Sequence, residues 1–148
     1  MKAKPEITIF PMVIADYDAV VALWKVLPGI GLSAADGREA IERYLERNPG
    51  MSFVARDGNR LIGAVLCGHD GRRGYLNHLA VDPNYHRQGI GQRLANACLE
   101  ALKAAGIDKC HIFVYGENVS GLAFWKAVGW YGRSELVLMS HDIDRRPS

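Results

Sequence analysis

Leu76-Asn77-His78-Leu79-Ala80-Val81-Asp82-Pro83-Asn84-Tyr85-His86-Arg87-Gln88-Gly89-Ile90-Gly91-Gln92-Arg93-Leu94 is the stretch on which the reading of the fold turns. A strand ends at Pro83, a polar loop follows, and Gly89 and Gly91 open a helix. In that helix Leu94, Ala95, Cys98, Leu99, Leu102 and Ala105 recur at helical spacing until Gly106 stops it. Glycines at a helix mouth let backbone N–H groups converge on a ligand, and the helix dipole adds positive potential there. The charges agree with an anion: no acid occurs between Asp82 and Glu100, while Arg87 and Arg93 flank the turn. A cation at that end costs about 0.3–1 kcal/mol unless an anion offsets it. A glycine-opened helix with solvated arginines is the simpler reading of the same residues. The dinucleotide fingerprint fits badly, because Gly89-Ile90-Gly91-Gln92-Arg93-Leu94 lacks its third glycine, and no Gly-Lys-Ser/Thr supplies a Walker motif.

Working outward, Ile7 and Ile9 alternate with polar residues and predict a first strand over residues 6–10. Asp16 precedes a helix carrying Val20, Val21, Leu23, Trp24 and Leu27, stopped by Pro28-Gly29. Ser33 or Asp36 opens a second helix with Ile41, Tyr44 and Leu45. Ser52 to Arg56 and Leu61 to Leu66 read as a hairpin across Asp57-Gly58-Asn59, and Asp70-Gly71-Arg72 turns into the strand Tyr75 to Val81. Beyond Gly106, a strand is expected at Cys110 to Tyr115 and a helix from about Asn118 to Val128. Two closing strands are expected at Tyr131 to Ser134 and Leu136 to His141, with residues 144–148 a frayed tail. The order is βααβββαβαββ in a single domain over residues 1–148.

Composition bounds the partners. With 148 residues, 49% hydrophobic and 23% charged, the chain is of folded, one-domain size. A net charge of +2 with only isolated pairs, Arg72-Arg73 and Arg145-Arg146, argues against nucleic acid and membrane surfaces as partners. The absence of a long apolar run or signal-like segment points to the cytoplasm. Cys67, Cys98 and Cys110 lie far apart in apolar contexts, so they read as buried reduced thiols, with no metal site.

The residues resemble the GNAT superfamily of acyl-CoA-dependent N-acyltransferases. Leu79-Ala80-Val81-Asp82-Pro83 matches its Leu-x-Val-x-Pro strand, and His86-Arg87-Gln88-Gly89-Ile90-Gly91 its Gln/Arg-x-x-Gly-x-Gly/Ala turn, with His86 in place of Gln or Arg. Asn118, followed by Phe124-Trp125 and Gly129-Trp130, matches a second family motif. The resemblance implies an α/β (α+β) fold with a mixed, mostly antiparallel sheet, helices on both faces, and a splay between the fourth and fifth strands. It also implies acetyl-CoA as co-substrate, no metal, and an amine acceptor that is a small molecule or a peptide or protein amine, on a monomer or homodimer. Coenzyme A would lie along Leu79, Ala80 and Val81, with its pyrophosphate on the amides of about Arg87, Gln88, Gly89, Ile90, Gly91 and Gln92, and with His86 and Arg93 among the cofactor-binding residues. Asn118, Phe124 and Trp125 would complete that site.

The reaction so implied is direct attack of a neutral amine on a thioester, which needs a polarised carbonyl, a proton acceptor and a leaving thiolate. The backbone N–H of Val81 would polarise the carbonyl. Many relatives carry a tyrosine acid where this chain has Trp125, whose indole donates a hydrogen bond but does not release its proton at neutral pH. Tyr115 or Tyr131 could substitute. His78 is the candidate base by residue type, although strict alternation puts it on the face opposite Leu79. His111, Glu117 and a water relay are alternatives. His69 and Asp70 read as turn residues, and the acceptor would be read by Pro28 to Asp36 with His69 to Arg73. A non-catalytic acyl-CoA-binding or sensory module of the same fold is the rival reading, and Trp125 favours it.

Overall fold

Two turns organise the sheet, and each has its chemistry built in. At Gly58 the backbone takes φ +60, and at Gly71 φ +92, values that glycine adopts without strain. Asp70 Oδ1 accepts from the backbone N–H groups of Arg72 and Arg73, at 2.8 and 2.9 Å, and these bonds hold its carboxyl below the usual range. His69 Nδ1 accepts from Gly71 N at 3.0 Å, so both residues serve the turn, as their sequence context suggests.

The computed structural model describes residues 6–144. Its elements are β1 (Ile7–Pro11), α1 (Tyr17–Val26), α2 (Arg38–Arg47), β2 (Phe53–Asp57), β3 (Arg60–His69), β4 (Gly74–Val81), α3 (Ile90–Ala104), β5 (Cys110–Ile112) and α4 (Val119–Ala127). The strands lie in the order β1-β2-β3-β4-β5, antiparallel except for the parallel β4–β5 pair. Among the described residues no helix is long and apolar enough to cross a membrane.

One core lies on each face of the sheet. Leu94, Ala95, Cys98 and Leu102 of α3 meet Ala55, Ile62, Val65, Cys67 and Leu76 on one side. Val20, Leu23 and Trp24 of α1 and Ile41 of α2 meet Val54, Ala64, Leu66 and Ala80 on the other. Each fully buried aliphatic side chain contributes about 1.5–3 kcal/mol to holding these layers together. Cys67 and Cys98 are buried and Cys110 half-buried, all as free thiols. Burial pushes the Cys110 thiol up to about 12, and the bond to Cys67 together with burial pushes Cys98 up as well.

Several expectations change. Asp16 does not cap α1 through its side chain; it accepts from Val13 N at 3.0 Å and pairs with Arg56 Nη2 at 2.6 Å. Ser33 caps a 3-10 turn at Ala34–Asp36, and α2 begins only at Arg38. β5 stops at Ile112 rather than Tyr115. The two closing strands do not form: residues 131–141 carry no ladder, and a turn closed by Leu136 N to Arg133 O at 3.1 Å sits in their middle. A strand pattern without a partner strand leaves its N–H and C=O groups unpaired, and here Val137 and Met139 stay 82% and 87% exposed. The frayed-tail expectation falls almost wholly outside the described residues.

Candidate active site

The site begins with one extra residue in β4. Leu66 pairs with Asn77 and Ala64 with Ala80, so two steps on β3 face three on β4. A β-bulge of this kind interrupts alternation and bends the strand. Leu76, Leu79 and Val81 pack toward α3, while Ala80 joins the α1/α2 core and His78 meets Trp24 of that core. His78 therefore lies on the opposite face to Leu79, and its φ of +53 marks the distortion.

Beyond the bulge, β4 loses its neighbour. Its pairing with β5 ends at Leu76↔Ile112, leaving Asn77 to Val81 without a strand on that side. Asp82 N donates to Ile62 O on β3 at 2.8 Å. In a trans peptide the carbonyl points opposite to the next N–H, so the Val81 carbonyl faces the open side. In an extended strand the N–H of the same residue faces that side too, and Leu79 follows by the two-residue period. The His86 Nε2–H donates to the Val81 carbonyl at 3.0 Å, giving the residue that departs from the family pattern a contact on this edge.

The turn after β4 is held from below and open above. Asp82 accepts from Asn84 N at 2.9 Å and from Arg60 Nη2 at 3.1 Å. The Tyr85 hydroxyl donates to Asp57 at 2.6 Å, a bond that raises the phenol above its usual range. Arg87 and Gly89 adopt φ +64 and +74, and Arg87, Gln88 and Gly89 are exposed. Left-handed residues alternating with others turn successive N–H groups into a concave nest for an anion. Ile90, 2% exposed, anchors the helix start, and Gln92 stays exposed. Gly91 serves packing: a Cβ there would meet Phe124. Arg93 reaches away from the turn, donating to Ile7 O of β1 at 3.1 Å.

On the far side of the gap, Asn118 caps α4, its Oδ1 accepting from Gly121 N at 3.0 Å. Trp125 packs against the α3-side core and meets Phe124 and Trp130 edge-to-face, each with ring centroids 5.0 Å apart. Tyr115 and Glu117, with Gly29, Ile30 and Gly31 of the α1–α2 loop, line an open cavity of about 270 Å³. A Cβ at Gly31 would lie 2.6 Å from the Tyr115 hydroxyl, so the exposed phenol would have to swing aside for any larger residue there. Tyr131 is exposed, and the His111 ring lies tilted against Tyr75 with centroids 5.8 Å apart.

Residue-type reasoning did not assign two contacts of His78. Its Nε2 lies 2.9 Å from Asp36 Oδ1, and its ring meets Trp24 at 4.9 Å between centroids. Asp36 reads in the sequence as a helix-start residue, and nothing in its spacing to His78 announces the pair. Among the described residues no group of three or more His, Cys, Asp or Glu side chains could hold a metal.

The Acetyltransferase (GNAT) family profile matches residues 18–130. An acetyltransferase of Pectobacterium atrosepticum is 33% identical over 103 residues, covering 70% of this chain and 72% of its own. Among solved structures, an aminoglycoside acetyltransferase from a soil metagenomic sample, in complex with sisomicin, superposes with a TM-score of 0.74 at 19% identity, covering 93% of this chain and 97% of its own. The PaiA N-acetyltransferase of Thermoplasma acidophilum, in complex with coenzyme A, gives 0.72 at 21% identity, covering 84% of this chain and 89% of its own.

Proposed function

This chain belongs to the Acetyltransferase (GNAT) family, and we propose that it transfers the acetyl group of acetyl-CoA to a primary amine by direct attack. The observation that carries the reading is the unpaired edge of β4 running into an exposed turn with left-handed residues at Arg87 and Gly89. That geometry suits an extended chain carrying amides at one end and phosphates at the other. Leu79 and Val81 would pair with pantetheine as an added strand does. The amides from about Arg87 to Gln92 would take the pyrophosphate, and nothing stands within 4 Å of a Cβ at Gly89 to obstruct it.

The co-substrate supplies a thioester carbonyl as electrophile. The Val81 N–H, on the open side, polarises that carbonyl. His78 accepts a proton from the attacking amine, so the C–N bond forms as the C–S bond breaks and the thiolate leaves. Trp125 packs and supplies no proton. Tyr115, exposed at the mouth of the cavity with Glu117, is the alternative source of one. The acceptor enters between the Gly29–Gly31 loop and these two residues; the aminoglycoside acetyltransferase among the structural neighbours makes a polyamino sugar one class to include.

The test is calorimetric binding of coenzyme A, NAD and ATP, followed by thiol release from acetyl-CoA. The acceptor panel holds aminoglycosides, polyamines, amino acids and short peptides with free N-termini. Coenzyme A binding alone, with amine-dependent thiol release, is expected. Binding of NAD or ATP in its place overturns the reading. Coenzyme A binding with no release across the panel favours the non-catalytic module, for which the Trp125 packing is the supporting observation.

A further inference from the structure

We propose that Asp36 is a positioning residue for His78, fixing the imidazole in the tautomer whose Nδ1 accepts the amine proton; this rests on His78 being the base. An ionised carboxylate only accepts, so at 2.9 Å from Asp36 Oδ1 the His78 Nε2 carries the hydrogen. In a neutral imidazole the lone pair then belongs to Nδ1. Nδ1 has no hydrogen-bond partner among the described residues, where Nε2 has one. It is also the ring nitrogen closer to Cβ, which keeps it beside the half of β4 whose outer edge is unpaired.

The arrangement around the pair is built rather than incidental. Asp36 Oδ2 accepts from Ser33 N at 3.0 Å, and the Asp36 carbonyl accepts from the Tyr17 hydroxyl at 2.7 Å. The Asp36 and His78 side chains are 11% and 20% exposed. Trp24, 1% exposed, closes against the ring edge-to-face. A non-glycine residue at φ +53 is strained, and surrounding structure must enforce such a conformation. As the amine attacks, its lone pair forms the C–N bond and the C–S pair leaves on sulfur. Its N–H bond breaks as Nδ1–H forms, that electron pair remaining on the product nitrogen, and the imidazolium charge develops beside the Asp36 carboxylate.

Long-range ¹H–¹⁵N spectra of the full chain read the tautomer directly, the His78 signals being those that vanish in His78→Gln. A protonated Nε2 and an unprotonated Nδ1 are expected, and an Nδ1–H tautomer overturns the proposal. Asp36→Asn keeps the shape and removes the charge. It should abolish the one-sided tautomer and lower kcat at least about tenfold, with KM for acetyl-CoA within about twofold, in thiol release with the fastest amine of the panel. His78→Gln should lower kcat roughly a hundredfold. If His78→Gln does so while Asp36→Asn leaves kcat unchanged, the base stands and the role of Asp36 falls. If His78→Gln leaves kcat intact, the base reading fails and takes this inference with it.

Discussion

Gly91 lies against the Phe124 ring so closely that a Cβ at 91 would sit 3.2 Å from Phe124 Cζ and 3.7 Å from Leu79 Cδ2. The two glycines of the turn thus answer to different forces. Gly91 lets α3 and α4 approach, whereas Gly89 supplies φ +74 in open space. Gly91→Leu should destabilise the fold by about 1–3 kcal/mol through overpacking, read from urea unfolding. Gly89→Val should cost about 1–2 kcal/mol from the left-handed backbone. It should also weaken coenzyme A binding roughly tenfold or more, the worth of one charge-assisted amide bond. Unchanged affinity in Gly89→Val with an intact fold would remove the phosphate from this turn.

The two arginines should separate in salt. Arg87 is exposed on the turn, so Arg87→Ala should weaken coenzyme A binding by about threefold to tenfold at low ionic strength and less at high. Arg93 donates to Ile7 O, and Arg93→Ala should lower stability by about 0.5–1.5 kcal/mol with little salt dependence of binding. Calorimetry at two salt concentrations checks both, and identical salt responses would contradict the assignment.

Trp125 tests whether the missing acid matters. Trp125→Phe preserves the aromatic contact with Phe124 and Trp130 and should keep turnover within about threefold. Trp125→Tyr should match or exceed the parent kcat at saturating acetyl-CoA, because a phenol can return a proton to the thiolate. A collapse of kcat in the Phe variant, with unchanged coenzyme A affinity, would give the indole N–H a chemical role.

Alkali should loosen the fold before it inactivates any single group. Burial raises the Cys110 thiol from 9.0 to about 12, and burial first, then the nearby Cys67, raises the Tyr44 phenol above its ordinary 10.0. Both groups ionise more easily unfolded. Their contribution to stability is complete below about pH 9 and declines as pH rises toward 12. Urea midpoints should therefore fall from pH 9 upward, and Tyr44→Phe should flatten part of the fall. A midpoint constant to pH 11 would refute the burial of these groups.

The glycine turn and α3 were legible because glycine and proline placement are local signals; α3 runs Ile90–Ala104 as its apolar spacing requires. The Asn118 cap was legible for the same reason. The face taken by His78 could be assigned from alternation only by disregarding the bulge, since an extra residue in a strand is a property of two strands together. The Asp36–His78 pair was hidden because its members are 42 residues apart and only the packing of the Ala34–Asp36 turn against β4 brings them together. The closing strands at Tyr131–Ser134 and Leu136–His141 show the converse: apolar alternation describes what a segment could bury, not whether a partner edge is in reach.

The bulge also behaves as a frameshift in the sheet. With His78 removed, Leu66↔Asn77 and Ala64↔Ala80 would be joined by an uninterrupted ladder, and Leu76, Leu79 and Val81 would keep their common face. The architecture itself has no need of the additional residue. A single-codon deletion should straighten β4 and let β5 continue past Ile112, readable as new amide-exchange protection at Phe113 to Tyr115. One amino acid then separates a sheet with a slot from a sheet that is sealed.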